Sequence, residues 1–235
     1  MKEKKTFYCE LAYILGILAL TIGNTFMAKA DFGMSMVVAP AYIIHLKVSQ
    51  FASFYSFGVS GYVFQLFLLV FLFIAVQKIE KRYFLSFVTA FIYALVIDVV
   101  MIVVGMFPYD GMVWKVIFFV AGLLVSTTGV ALLLHAKFPP EAYDLVVKEI
   151  ARRYNIPIFK VKTVYDCCSC VLAVALSLIF FGAFVGVNWG TIVCALTNGF
   201  LIGKISGFLE RNFVFKTAVL KKIRRKGIKK QSEEV

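Results

Sequence analysis

The sequence predicts an all-α membrane protein with six transmembrane helices. Three observations carry that reading. The first is composition: 61% of the residues are hydrophobic and 16% charged, against roughly 45–50% and about 25% in soluble domains. The mean hydropathy of +0.89 leaves too much apolar surface for water to be the only solvent. The second is six apolar runs, each long enough to cross a hydrocarbon core that takes about 20 helical residues. The third is charge. Lys and Arg number 25 against 13 Asp and Glu, and the excess alternates between loops.

The runs are residues 7–28, 51–76, 84–107, 112–134, 164–187 and 189–209. They form one transmembrane domain over 1–210, followed by a basic tail over 211–235. Lys2, Lys4 and Lys5 before the first run and Ala28-Lys29-Ala30 after it resemble a secretory signal. The apolar stretch is longer than the 7–15 residues of such a signal, so an uncleaved helix is expected. The fifth and sixth runs are so close that Val187-Asn188-Trp189-Gly190 is expected to form a tight turn.

Basic residues crowd the N-terminus, the loop after the second run (Lys78, Lys81, Arg82), the loop after the fourth (Lys137 to Lys162) and the tail. The intervening loops hold few. The positive-inside rule then expects both termini in the cytoplasm of a plasma-membrane protein with an even number of crossings.

Two linkers are too short or too interrupted to span. Residues 31–50 contain Pro40 and suit an interfacial or re-entrant piece. In residues 139–162, Tyr143, Val146, Val147, Ile150 and Tyr154 fall on one face of an amphipathic cytoplasmic helix. Pro140 opens that helix, Asn155 and Pro157 end it, and Asp144–Lys148 and Glu149–Arg153 are spaced as i,i+4 pairs. Such a helix is either a gate that contacts a ligand or a surface helix in the lipid headgroups.

An internal repeat is also visible. Gly16, Gly23, Ala30 and Phe32 match Gly122, Gly129, Ala136 and Phe138 at one offset of 106. A three-helix unit copied once starts its second copy from the opposite side. Two inverted three-helix repeats are therefore expected, a recurring construction in secondary transporters.

Polar groups at membrane depth mark candidate sites, because an ionisable side chain there costs about 2.5–3.5 kcal/mol on insertion scales. Asp98 lies eight residues from the end of the third run, roughly 12 Å deep, and Asn198 roughly 13 Å deep in the sixth, close enough in depth to face each other. Asp98 is either a proton, cation or substrate site, or a protonated acid bonded to a neighbouring helix. Asn24 in the first run is a further polar contact for a substrate or ion. Glu141, Asp144 and Asp166 are expected as gate or interfacial contacts.

The five cysteines are odd in number and lie in or at apolar runs, so no disulfide framework is expected. Cys167 and Cys170 have C-x-x-C spacing, but His45 and His135 lie in other segments and no metal site is expected. No P-loop, G-x-S-x-G, H-E-x-x-H or dinucleotide fingerprint is present. Neither a catalytic residue nor a cofactor is expected.

Several motifs resemble those of the YczE/YyaS/YitT-like bacterial integral membrane proteins. They are the Gly-spaced first helix leading into Ala30-Asp31-Phe32-Gly33, Asp98, Pro140-Glu141-Ala142-Tyr143-Asp144-Leu145, the Lys162 to Asp166 entry to the fifth helix, and Trp189-Gly190-Thr191-Ile192-Val193. The resemblance runs to about Glu210 and leaves the basic tail unexplained. It implies a five- or six-helix plasma-membrane protein, often taken for a transporter, without naming a substrate.

The expected function is a small secondary transporter, with Asp98 as the coupling or binding acid. The alternative is a membrane scaffold or regulator acting through its cytoplasmic helix and tail. Expected partners are the bilayer, anionic lipid at the tail and an unidentified small molecule or ion, with no nucleic acid.

Overall fold

The computed structural model describes residues 4–76, 81–107, 111–136, 138, 141–156 and 158–217. Pro140 and most of the basic tail lie outside them. Among the described residues, six long helices are apolar enough to cross a membrane. They are α1 (Cys9–Ala30), α3 (Phe57–Val76), α4 (Lys81–Gly105), α5 (Met112–His135), α7 (Ile158–Phe181) and α8 (Trp189–Asn212). Two shorter helices lie between them, α2 (Ala39–Val48) and α6 (Ala142–Tyr154), and two short strands, β1 (Lys5–Tyr8) and β2 (Phe213–Lys216), flank the bundle.

Local chemistry sets the ends. α1 and α6 stop at Asp31 and Asn155, both in the left-handed region that short polar side chains tolerate. α8 opens with a capping box between Asn188 and Thr191. That assigns Asn188 to a helix cap, and the reversal expected at residues 187–190 falls earlier. α7 begins at Ile158 and ends at Phe181, six residues ahead of the expected run at both ends. The chain turns through Gly182 and Gly186, whose φ values of +66° and +73° favour glycine. α3 likewise starts at Phe57 rather than residue 51, because Ser56 is held in place by a neighbouring helix.

The strands were not foreseen. They pair in parallel, Lys5 opposite Phe213 and Tyr8 opposite Lys216, and Phe7 meets Phe213 and Phe215 edge to face. The pair ties the start of α1 to the end of α8, so both lie at one end of the bundle.

α1 and α5 are the central pair. Gly16 packs against Gly129 and Gly23 against Gly122. As numbers rise along one helix they fall along the other, so the two run antiparallel. A Cβ on Gly23 would stand 2.6 Å from the Gly122 carbonyl oxygen, and one on Gly129 2.8 Å from that of Gly16. Glycine is required because the backbones themselves touch. The offset of 106 exchanges these two contacts: Gly16–Gly129 becomes Gly122–Gly23. The same exchange relates α1–α4 packing to α5–α8, α2–α3 to α6–α7, and α3–α6 to α7–α2. The repeat unit is therefore a long helix, a short helix and two long helices, used twice with opposite direction. One relation fails. α3 packs closely on α4, whereas α7 and α8 make no substantial contact.

Neither short helix lies on the surface as a headgroup helix would. The Ala142 N–H at the start of α6 donates to Gln65 Oε1 at 3.1 Å. Gln65 lies eight residues from one end of α3 and eleven from the other, roughly 12 and 16 Å. The far end of α6 returns to the edge, where the Tyr154 hydroxyl donates to the Ala75 carbonyl at 3.4 Å. Tyr143, Leu145 and Val146 are buried against α3 and its neighbours, and Glu149 meets Arg152 rather than Arg153. α6 is thus a re-entrant half-helix whose N-terminus lies at mid-bundle. α2 enters from the other end. Its C-terminal half is anchored there by His45 Nδ1 at 2.9 Å from the Tyr55 oxygen and by Lys47 donating to Phe180 O. Val37, just before α2, reaches the cluster containing Tyr143.

Candidate functional site

Between the two half-helices lies a cavity of about 660 Å³. Its deep wall is Leu20 and Asn24 of α1 and Ser35–Val38 ahead of α2. α6 contributes Tyr143, Asp144, Val147 and Lys148, with Glu141 as the residue that caps it. From α5, α7 and α8 it takes residues such as Ser126, Lys162, Asp166, Asn198, Gly199 and Ser206. On α5 and α7 these lie in the halves nearest the β1–β2 end, and the α8 stripe descends to Ser206 at that end. The cavity therefore runs from mid-bundle toward that end, along the seam where α7 and α8 stand apart.

Five of the six residues singled out from sequence meet here: Asn24, Asn198, Glu141, Asp144 and Asp166. Asn24 is buried on α1 and donates from Nδ2 to the Tyr93 hydroxyl of α4 at 2.7 Å. Asn198 donates to the Ser35 hydroxyl at 3.4 Å, while its Oδ1 is buried with no hydrogen-bond partner among the described residues. Asp166 pairs with Lys162 one turn earlier on α7, at 2.9 Å. Asp144 lies one turn beyond Glu141.

Glu141 is the most enclosed acid of the five, 4% exposed. Its Oε1 has no hydrogen-bond partner among the described residues, and neither has the adjoining Tyr143 hydroxyl. Burial, and secondarily the Asp144 carboxylate, hold the Glu141 carboxyl well above the usual carboxylate range. The α6 N-terminus acts the other way, since the partial positive charge of a helix start favours an anion. The offset of 106 places Ser35 opposite Glu141, so the two copies present different chemistry at equivalent points of one cavity.

Asp98 is not in the cavity lining, and it does not meet Asn198. Its carboxylate accepts the Gly58 N–H at 2.7 Å and the Ser56 hydroxyl at 2.5 Å, and that hydroxyl oxygen accepts the Val59 N–H at 3.1 Å. An acid on α4 thus accepts the Gly58 amide and holds the Ser56 hydroxyl that accepts the Val59 amide, two groups at the start of α3 that lack a partner within their own helix. Gly58 makes this possible, because a Cβ there would lie 2.1 Å from the Ala94 carbonyl and 2.6 Å from Asp98 Oδ2.

Sequence reasoning missed Tyr93 and Ser35, and named Lys148 and Lys162 only as the spaced partner of Asp144 and the start of the fifth-helix entry. The signal for Ser35 was present in the repeat offset. For Tyr93 there was none, since a tyrosine in an apolar helix reads as packing. Among the described residues no group of His, Cys, Asp and Glu could hold a metal ion, and all five cysteines are free thiols.

Residues 7–207 match the model of a family of unknown function, DUF6198, and the chain belongs to that family. No curated protein and no solved structure matches it.

Proposed function

We propose that this DUF6198 member is a small secondary transporter of the cell membrane whose cargo site is the cavity between α2 and α6. The observation that carries the reading is the meeting of two half-helices, from opposite ends of an inverted repeat, at a mainly apolar cavity with polar side chains on its wall, running from mid-bundle toward the β1–β2 end. Inverted-repeat carriers build midplane sites from interrupted helices in this way. The unequal seams fit the same reading: α3–α4 closed and α7–α8 open is one of two states that the repeat could exchange. On the positive-inside rule the β1–β2 end faces the cytoplasm, which makes this the inward-open state. Kinship with the YczE/YyaS/YitT-like proteins is part of the same proposal. The burial of α6 favours a carrier over a scaffold, because a helix packed inside the bundle offers little surface to a partner.

The test uses Gly199, which lines the cavity and whose added Cβ would meet nothing within 4 Å. A Gly199→Cys variant, with the five native cysteines replaced by alanine, is reconstituted in sealed vesicles and treated with an impermeant maleimide from each side. A carrier that alternates is labelled from both sides. Labelling from the β1–β2 side alone marks a static cavity and refutes transport.

A further inference from the structure

We propose that Glu141 is the proton-binding site of this cavity, so that the proposed carrier is proton-coupled. This rests on the transport reading above and assigns that site its coupling ligand. Glu141 is nine-tenths buried or more, lies on the cavity wall, and leaves one carboxyl oxygen without a protein partner. A buried carboxylate in that position needs a cation or a proton.

The surrounding groups decide between these. α3 supplies neutral Gln65, which is engaged with the Ala142 amide. α4 supplies Tyr93, bonded to Asn24 of α1, and α1 also brings Tyr13 near. α7 brings Tyr165, Asp166 and Lys162, but Lys162 is paired with Asp166. On α6 itself Tyr143 is neutral, Asp144 is acidic and Lys148 lies seven residues on, roughly 10 Å along the axis. Farther down α6, Glu149 faces Tyr83 and Arg152. No cationic side chain among the described residues pairs with Glu141. A proton is the ligand that removes its charge without one.

Two features let the proton come and go. The α6 N-terminus moderates the cost of ionisation, so the group is not locked in its neutral form. Asp144 and Asp166 line the same cavity toward the β1–β2 end and give a route of carboxylates to water on that side. The upward displacement of the Glu141 carboxyl by burial and Asp144 agrees with this role.

The experiment is infrared spectroscopy of the full-length protein in lipid, titrated with acid and alkali. The expected result is a protonated-carboxyl band that persists above the ordinary carboxylate range, titrates as one group, disappears in Glu141→Gln and remains in Asp144→Asn. A Glu141→Asp variant, which keeps a carboxyl and shifts the band, serves if the glutamine variant does not fold. A band that survives Glu141→Gln unchanged, or no such band in the wild type, overturns the proposal. Failure of the transport reading looks different. A Glu141-dependent band with one-sided labelling of the Gly199→Cys variant keeps the proton site and removes the carrier. Two-sided labelling without the band keeps the carrier and removes the proton site.

Discussion

Replacing Gly23 by alanine inserts one methyl group into the seam between α1 and α5. An ideal Cβ there would lie 2.4 Å from the Ser126 amide nitrogen and 2.6 Å from the Gly122 carbonyl oxygen. Ordinary contact begins about 1 Å farther out. The obstacles are backbone atoms of a rigid helix, so no rotamer change relieves them and the helices must separate. Overpacking costs about 1–3 kcal/mol, and obstruction by backbone places this case at about 3. Alanine recovers up to about 1 kcal/mol through its better helix propensity, leaving a net loss of about 2 kcal/mol. Gly199 is the control, since nothing lies within 4 Å of its added Cβ and Gly199→Ala gains up to about 1 kcal/mol from propensity. Gly122→Ala should match Gly23→Ala, because its Cβ would stand 2.7 Å from the Gly23 carbonyl. The double variant should cost less than the sum, since one separation relieves both clashes. Reversible unfolding of the full-length protein in mixed micelles measures all four. If Gly23→Ala is as stable as Gly199→Ala, the close approach of the two backbones is refuted.

Asp98→Ala should lose about 2–6 kcal/mol, since a donor left without its acceptor costs about 1–3 kcal/mol and two donors, the Ser56 hydroxyl and the Gly58 N–H, lose theirs. Asp98→Asn should lose less, and in both variants two-sided labelling of the Gly199→Cys reporter should persist if the protein folds. Glu141→Gln should change how stability depends on pH. The raised carboxyl binds its proton more tightly folded than unfolded, so its contribution is full below the usual glutamate range and lost as pH rises toward the folded value. The wild type should therefore lose stability relative to Glu141→Gln with rising pH, about 1.4 kcal/mol for each unit of displacement, and a falling Tm over a pH series checks this. Tyr93→Phe leaves the buried Asn24 Nδ2 without its acceptor and should cost about 1–3 kcal/mol in the same unfolding assay.

The long helices were legible because a bilayer demands length and apolarity, both of which are written along the chain. α6 was legible as a helix for the same reason, through its one-sided apolar face. Its place was not. An amphipathic pattern says that one face is buried and leaves open whether lipid headgroups or protein cover it, and the Gln65–Ala142 hydrogen bond decides for protein. The acid most conspicuous in the sequence, Asp98, turns out to be committed to the start of α3. Glu141 drew less notice because it sits in a polar loop, where a carboxylate ordinarily faces water. Only the fold of that loop into mid-bundle makes it a buried acid.

What the sequence by itself determined is the solvent, the number of long helices, the end at which basic loops gather and the glycine spacing at the offset of 106. These depend on composition and on period, which survive without knowledge of any contact. Tertiary structure alone decided the depth of α2 and α6, the unequal closure of the two repeats, and which acids face the cavity. Those depend on where separate segments meet, and each buried polar group is settled by the partner that another segment brings or fails to bring to it.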